Sequence, residues 1–190
     1  MTKTVDTAVA KVPAVTLLFW VIKIVATTLG ETGGDAVSMS MNLGYLLSTG
    51  IFAVLFACVV SGQVAATRFK PWLYWATIIA TTTVGTTLAD FATRSLGIGY
   101  TGGSALLLTL LLASLWLWQR STGSVSIHHI RGARAEGFYW LTIMFSQTLG
   151  TALGDWTADT AGLGYVGSAV VFGAALLVLA AAYSLTRISR

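Results

Sequence analysis

Charged residues are scarce in this sequence, and cysteine and proline are almost absent. Of the 190 residues, 9% are charged and 55% are hydrophobic, with two prolines and a single cysteine, Cys58. Soluble domains carry about 25% charged residues, so this composition excludes an ordinary water-soluble protein. One cysteine forms neither a disulfide framework within the chain nor a thiolate metal site. The composition instead predicts a protein that crosses a membrane several times.

The sequence also lacks the short motifs that carry catalysis. It contains no HExxH, no GxSxG, no phosphate-binding GxxxxGK[ST], and no acid–histidine pair within an apolar run. We therefore expect neither an enzyme nor a bound cofactor. The net charge of +4 does not predict nucleic-acid binding, because the basic residues are spread over four short segments and form no continuous face.

Six apolar runs are long enough to cross a hydrocarbon core of about 30 Å, which takes about 20 helical residues. They cover residues 12–30, 43–66, 72–90, 98–118, 138–155 and 163–185. The predicted fold class is therefore an all-α membrane protein with six transmembrane helices, folded as a single transmembrane domain over residues 1–190.

Basic residues mark one side of this predicted membrane protein. The connections on the other side contain one basic residue, Arg94. The positive-inside rule then predicts a multi-pass protein of the inner membrane, with cytoplasmic N- and C-termini and a cytoplasmic loop at 120–136. The basic residues on the predicted cytoplasmic side are Lys3, Lys11, Arg68, Lys70, Arg120, Arg131, Arg134, Arg187 and Arg190.

The chain is built from three copies of one unit. Offsets of 55 and then 65 residues align the three copies without gaps between the first tryptophan and the last tyrosine of each. The copies, at about 12–66, 72–119 and 138–186, each contain two spans, so all enter the membrane from the same side as parallel repeats. The six identical columns are Trp20/Trp75/Trp140, Thr28/Thr83/Thr148, Gly30/Gly85/Gly150, Asp35/Asp90/Asp155, Gly44/Gly99/Gly164 and Tyr45/Tyr100/Tyr165.

The opening stretch and the segment before the third copy resemble a known family. Residues 11–35 match its pattern KVPxVTxxFWxxKxxxTTxGETxxD, and residues 126–140, SIHHIRGARAEGFYW, match its linker before the third copy. The chain thus resembles bacterial membrane proteins made of tandem two-helix repeats of unknown function, which usually carry four copies where this chain has three. The resemblance implies tandem helix pairs and no particular activity, so function has to be argued from the polar residues.

Polar residues form a stripe at the end of each odd-numbered span. Positions i, i+3 and i+7 share a helix face, so each copy presents three oxygen-bearing side chains together. Oxygen-only ligation suits hard cations, and the carboxylates Glu31, Asp35, Asp90 and Asp155 are the predicted metal ligands. The stripes consist of Thr28, Glu31 and Asp35; of Thr83, Thr86 and Asp90; and of Thr148, Thr151 and Asp155.

Glycines predict a break in the first of these helices. Gly30, Gly33 and Gly34 lie within its polar stripe, and a broken helix would add backbone carbonyl oxygens to the site. The aspartates alone would also fit a structural role as caps or turns at the water interface.

Two further polar residues interrupt the apolar spans, and both belong to the predicted binding set. Lys23 lies near the middle of the first span, where a charge is costly, so it should face the interior. Its expected partner is a residue on another helix, or Glu31 through water. Gln147 replaces the threonine of the other copies and is expected to bond a neighbouring helix or to join the site. Arg94, four residues beyond Asp90, is placed to pair with it.

These residues predict a small secondary transporter or exporter of a hard cation such as Mn²⁺, Mg²⁺, Ca²⁺ or Na⁺, coupled to protons through Glu31 and Lys23. Two other classes stay open: a membrane scaffold or assembly partner, in which the polar columns only hold helices together, and a channel. The expected partners are the lipid bilayer, an inorganic cation and a proton, with a homodimer as an open alternative.

Overall fold

Six helices make up the structure, a computed structural model that describes residues 11, 13, 16–125, 130 and 132–185. The described residues include no β-strand, so the predicted all-helical class is confirmed. Lys3, Arg131, Arg187 and Arg190 lie outside the described residues, as do positions 12 and 186 at the limits of the predicted repeats. The helices are α1 Leu17–Asp35, α2 Tyr45–Ala65, α3 Pro71–Asp90, α4 Gly99–Thr122, α5 Ala133–Asp155 and α6 Gly164–Leu185.

Local sequence signals set several of the helix ends. The Thr16 hydroxyl accepts a hydrogen bond from the Phe19 N–H at 3.3 Å and caps α1. Pro71 occupies the first position of α3, where its missing N–H costs nothing. Gly123 ends α4 with a left-handed conformation. Because α4 ends at Thr122 and α5 begins at Ala133, the connection between them is shorter than the predicted loop at 120–136.

Four of the six described helices are long and apolar enough to cross a membrane. They are α1 with the turn that follows it, α2, α4 and α6. α3 and α5 contain more threonine and other polar residues and do not meet this criterion. The reason is visible in α3, in which 13 of 20 residues are buried. A helix surrounded by other helices can be polar where one facing lipid cannot.

α3 is the centre of the bundle. It packs against α1, α2 and α5, while α4 packs mainly on α5 and α6 lies against the end of α5. The outer faces of the even-numbered helices are apolar and exposed, as at Leu55 in α2, Leu112 in α4 and Leu177 in α6. Exposed apolar surface on this scale is expected of a protein surrounded by lipid.

Glycines allow the odd-numbered helices to approach closely, and they do not break α1. The helix runs without interruption through Gly30, Gly33 and Gly34 to Asp35, so the predicted break is wrong. A Cβ added at Gly30 would lie 2.7 Å from Thr82 Cβ of α3. The absence of a side chain is therefore used for helix packing, and the backbone hydrogen bonds of α1 remain intact.

A short π-helical turn follows the aspartate at the end of each odd-numbered helix. The turns cover Ala36–Ser40, Phe91–Ser95 and Trp156–Thr160. π-helical turns are rare and occur often at functional sites. The chain then enters the next helix through a residue with positive φ, which explains the invariant glycine column: Gly44 (φ 76°), Gly99 (φ 65°) and Gly164 (φ 62°).

Candidate functional site

A cavity of about 490 Å³ lies at the end of the bundle where the odd-numbered helices finish, which we term the carboxylate end. It is bounded by α1, α3, α5 and α6. Six of the eleven predicted binding residues line it, two from each odd-numbered helix: Glu31 and Asp35, Thr86 and Asp90, and Thr151 and Asp155. The structure therefore brings the acidic parts of all three predicted stripes to one space.

The threonine column at the start of each stripe does not reach this cavity. Thr83 and Thr148 are buried, and their hydroxyls donate to carbonyls of their own helices, Ile79 at 2.9 Å and Met144 at 2.8 Å. Thr28 is exposed and does not line the cavity. Thr28, Thr83 and Thr148 therefore do not join the six predicted residues that line the cavity.

The carboxylates are near one another without forming a metal-ligand cluster. Glu31 interacts electrostatically with Asp35 and Asp155 and forms a side-chain hydrogen bond with Thr151. Among the described residues, however, no three His, Cys, Asp or Glu side chains come close enough to hold one metal ion. A cation in this cavity would therefore be bound by carboxylates spread around the wall, together with hydroxyl groups.

Arg94 connects the second and third copies at the edge of the cavity. Its Nε lies 2.8 Å from Asp90 Oδ1, which confirms the predicted pairing. Its second terminal nitrogen also donates to Asp155 Oδ2 at 3.1 Å and lies 3.9 Å from Asp159 Oδ2. Asp159 in turn accepts a hydrogen bond from the Tyr100 hydroxyl at 2.7 Å.

The repeat in the sequence contains an indication of the contact between Arg94 and Asp159. The repeat offset of 65 residues places Arg94 and Asp159 at the same column. Opposite charges at one column of adjacent copies come together when the copies pack side by side.

Lys23 pairs with a residue on another helix, as predicted. Its ammonium group donates to Gln147 Oε1 at 3.4 Å. The same oxygen accepts a hydrogen bond from the Thr82 hydroxyl, and Gln147 Nε2 donates to Thr81 Oγ1 at 2.6 Å. Gln147 therefore bonds a neighbouring helix, as expected, and Lys23, Gln147 and the two threonines form a polar cluster that links α1, α3 and α5. Lys23 and Gln147 do not line the cavity.

One threonine of α3 differs from the others in its hydrogen bonding. Thr77, Thr83 and Thr87, among others, donate to carbonyls one turn earlier in the helix. Thr86 is 3% exposed and lines the cavity, and its buried hydroxyl has no hydrogen-bond partner in the described part of the protein. A buried polar group without a partner is uncommon and costly, which marks this position as a place where a ligand can bind.

Comparison with known proteins agrees with the repeat seen in the sequence. The family described as "Repeat of Unknown Function (DUF347)" matches residues 18–69, 73–124 and 138–189. The chain belongs to the DUF347 repeat family. The predicted tandem copies are therefore confirmed, with the same offsets between them. No curated protein and no solved structure matches the chain.

In this DUF347 chain, aromatic side chains pack together at the opposite end of the bundle, which we term the aromatic end. Tyr74 and Trp140 are each 2% exposed and pack together in a buried cluster. The hydroxyls of Tyr74 and Tyr139 lie 3.5 Å apart. An ion pair between Lys11 Nζ and Glu136 Oε1, at 2.7 Å, lies beside this cluster at the start of α5. Among the described residues the two ends thus differ: a cavity lies at the carboxylate end, and a packed aromatic cluster lies at the other.

Proposed function

We propose that this chain is a small secondary transporter of cations. In this proposal all six helices cross the inner membrane as three parallel two-helix repeats, with both termini in the cytoplasm. α3 and α5 cross as interior helices, which explains why their polarity is tolerated.

The observation that carries the proposal is the convergence of carboxylates from all three repeats on one cavity. Glu31, Asp35, Asp90 and Asp155 line it, and Arg94 is the only basic residue among the described residues of its wall. The wall is therefore net negative, which attracts cations and raises their local concentration. The unpartnered hydroxyl of Thr86 adds an oxygen that is ready to accept or coordinate.

The difference between the two ends supports transport over simple binding. The cavity lies at the carboxylate end, and the aromatic residues Tyr74, Tyr139 and Trp140 pack together at the other end. Between them lies the Lys23–Gln147 polar cluster, which links α1, α3 and α5. In a transport cycle the aromatic end would open while the cavity closes, as in other carriers that expose a central site to one side at a time.

Hard inorganic cations remain the substrates predicted from the sequence, with proton coupling through Glu31 and Lys23. Because no three carboxylates of the described residues come close enough to hold one metal ion, such an ion would keep part of its water shell, as Mg²⁺ usually does. Glu31 is the acid that breaks the symmetry of the repeats, since copies 2 and 3 have Thr86 and Thr151 at its position.

A membrane scaffold is the second candidate, and one observation favours it. Arg94 binds Asp90 and Asp155 across α3 and α5, so two of the four carboxylates hold helices together. The Lys23–Gln147 cluster also links helices, so a scaffold needs such contacts but does not need Glu31.

The test is cation flux in vesicles that contain the purified protein. We expect a gradient of Mn²⁺, Mg²⁺, Ca²⁺ or Na⁺, or of an organic ammonium ion, to drive uptake and to move protons, reported by a trapped pH dye. Glu31→Gln should abolish proton movement, and Asp159→Asn, which removes the same charge outside the cavity wall, should retain it. If no cation moves in the wild-type protein, transport is refuted and the scaffold is favoured.

A further inference from the structure

We infer that the substrate of this cavity is an organic cation with two amino groups, of the class of short aliphatic diamines. This inference rests on the proposed cation transport and names its substrate class. Four features of the cavity lead to it: the spread of its carboxylates, its size, the spacing of its two unpaired acids, and the free hydroxyl of Thr86.

The carboxylates are too widely spread for a bare metal ion. Protein sites for Ca²⁺ place six to eight oxygens at about 2.3–2.6 Å from one ion. Here no three acidic side chains of the described residues come close enough for joint coordination. Separate carboxylates are better suited to separate positive groups on one molecule.

The size and lining of the cavity fit an organic molecule. Its volume of about 490 Å³ lies within the range of about 300–1,000 Å³ usual for small-molecule sites. Met39, Ala169 and Phe172 provide an apolar part of the wall, next to the carboxylates. Contact with an apolar wall does not stabilise a bound hydrated ion. The same contact removes the methylene groups of a diamine from water and so favours its binding.

Glu31 and Asp35 are the two acids of the wall that have no ion pair among the described residues. Arg94 engages Asp90 and Asp155, and Glu31 and Asp35 are left to a ligand. They lie four residues apart on one face of α1, which corresponds to about 6 Å along the helix. Two ammonium groups joined by a short aliphatic chain match this separation.

Thr86 supplies an independent sign of a ligand on the facing helix. Thr86 lines the cavity, and its hydroxyl is buried and lacks a partner in the described structure. An ammonium group carries three N–H donors, so one carboxylate does not satisfy it. We assign the Thr86 oxygen as a second acceptor for an ammonium group bound at Glu31 or Asp35.

The experiment is calorimetric titration of the full chain in detergent, with putrescine, n-butylamine, Mg²⁺ and Mn²⁺ at constant ionic strength. We expect putrescine to bind at least about tenfold more tightly than n-butylamine, because the second ammonium adds a charge-assisted contact. Glu31→Gln and Asp35→Asn should each remove this advantage. Asp159→Asn, the same charge change outside the cavity wall, should keep it.

Thr86 is tested by a matched pair of variants. Thr86→Val should weaken putrescine binding severalfold, and Thr86→Ser should restore it, which separates loss of the hydroxyl from misfolding. Thr109→Val removes a hydroxyl on the outer face of α4 and should leave binding unchanged.

Each contrary result has a distinct meaning. Binding of Mg²⁺ or Mn²⁺ without putrescine would overturn the diamine inference and leave the proposed cation transport standing. Equal affinity for putrescine and n-butylamine would also overturn it, because only one carboxylate would then be in use. Absence of binding by every cation tested, together with no flux in vesicles, would remove the inference and the proposed function together.

Discussion

One glycine column tests how the three copies pack, because the same residue meets three different surroundings. Gly30 of α1 faces α3, and Gly85 of α3 faces α5. Gly150 of α5 has nothing within 4 Å of an added Cβ among the described residues. The first two copies therefore pack head to tail, each glycine on the next copy, and no described residue covers the glycine of the third. We expect Gly30→Ala to destabilise the protein, Gly85→Ala to do so less, and Gly150→Ala to be tolerated.

The size of the effect follows from the contact distances. An alanine Cβ at Gly30 would lie 2.7 Å from Thr82 Cβ, far inside the optimum of about 3.5–4.0 Å for two carbon atoms. Overpacking of this kind costs about 1–3 kcal/mol. Alanine also gains up to about 1 kcal/mol over glycine within a helix, but this gain is shared by all three sites. The difference in unfolding free energy between Gly30→Ala and Gly150→Ala therefore isolates the packing cost. For Gly85→Ala the nearest atom, Thr148 Oγ1, is at 3.1 Å, so its cost is smaller.

The assay is unfolding of the purified variants in mixed micelles, followed by tryptophan fluorescence as the fraction of denaturing detergent rises. Gly33→Ala is the control on the same helix as Gly30, because an added Cβ there meets open space. If Gly30→Ala and Gly150→Ala unfold at the same detergent fraction, the head-to-tail packing of α1 on α3 is refuted.

Three further predictions concern Gln147, Arg94 and Cys58. Gln147→Leu should lower the unfolding free energy by about 1–3 kcal/mol, because Lys23 loses its partner; an unchanged unfolding midpoint would contradict the pairing. Arg94→Gln should lower the free energy of unfolding by about 3 kcal/mol, because buried Asp90 loses its partner. The double variant Arg94→Gln/Asp90→Asn should recover part of that stability, and a double variant no more stable than Arg94→Gln would contradict the ion pair. Cys58 is exposed on α2, so a water-soluble maleimide should label it in detergent-unfolded protein and not in vesicles; labelling in intact vesicles would place α2 outside the bilayer.

The helices were predictable because an apolar run of membrane-spanning length has few alternatives in lipid. Even α3 and α5, which are more polar, were found, since each repeats the pattern of an apolar first copy. The break predicted at Gly30, Gly33 and Gly34 was wrong for a physical reason. Glycine weakens a helix only when nothing compensates, and here α3 packs into the space that Gly30 and Gly34 leave. A sequence does not state which helix will be the neighbour, so the two roles of glycine could not be distinguished.

The candidate site was predictable in its acids and less so in its hydroxyls. The four carboxylates follow the helix face that the i, i+3 and i+7 pattern predicts, and all of them line the cavity. The hydroxyls of Thr83 and Thr148 lie one or two turns deeper, where they bond their own helices and have no cavity to enter. Which threonine keeps a free hydroxyl depends on local packing, and only the structure distinguishes Thr86 from its neighbours.

The position of the cavity follows from the way in which the three copies pack on one another. In copies 1 and 2 the glycine face of the odd-numbered helix is covered by the next copy, as Gly30 is by α3 and Gly85 by α5. In copy 3 the same face is uncovered, and its residues Gly150 and Gly154 line the cavity. With three related units packed head to tail, one such face is left free among the described residues, and it lies in the same cavity as Glu31, the acid that only copy 1 has at its position. The repeated sequence gives three helix pairs in which copy 1 packs on copy 2 and copy 2 on copy 3. The cavity lies where α5 of copy 3 and α1 of copy 1 face each other, and this is the space in which we propose that a cation binds.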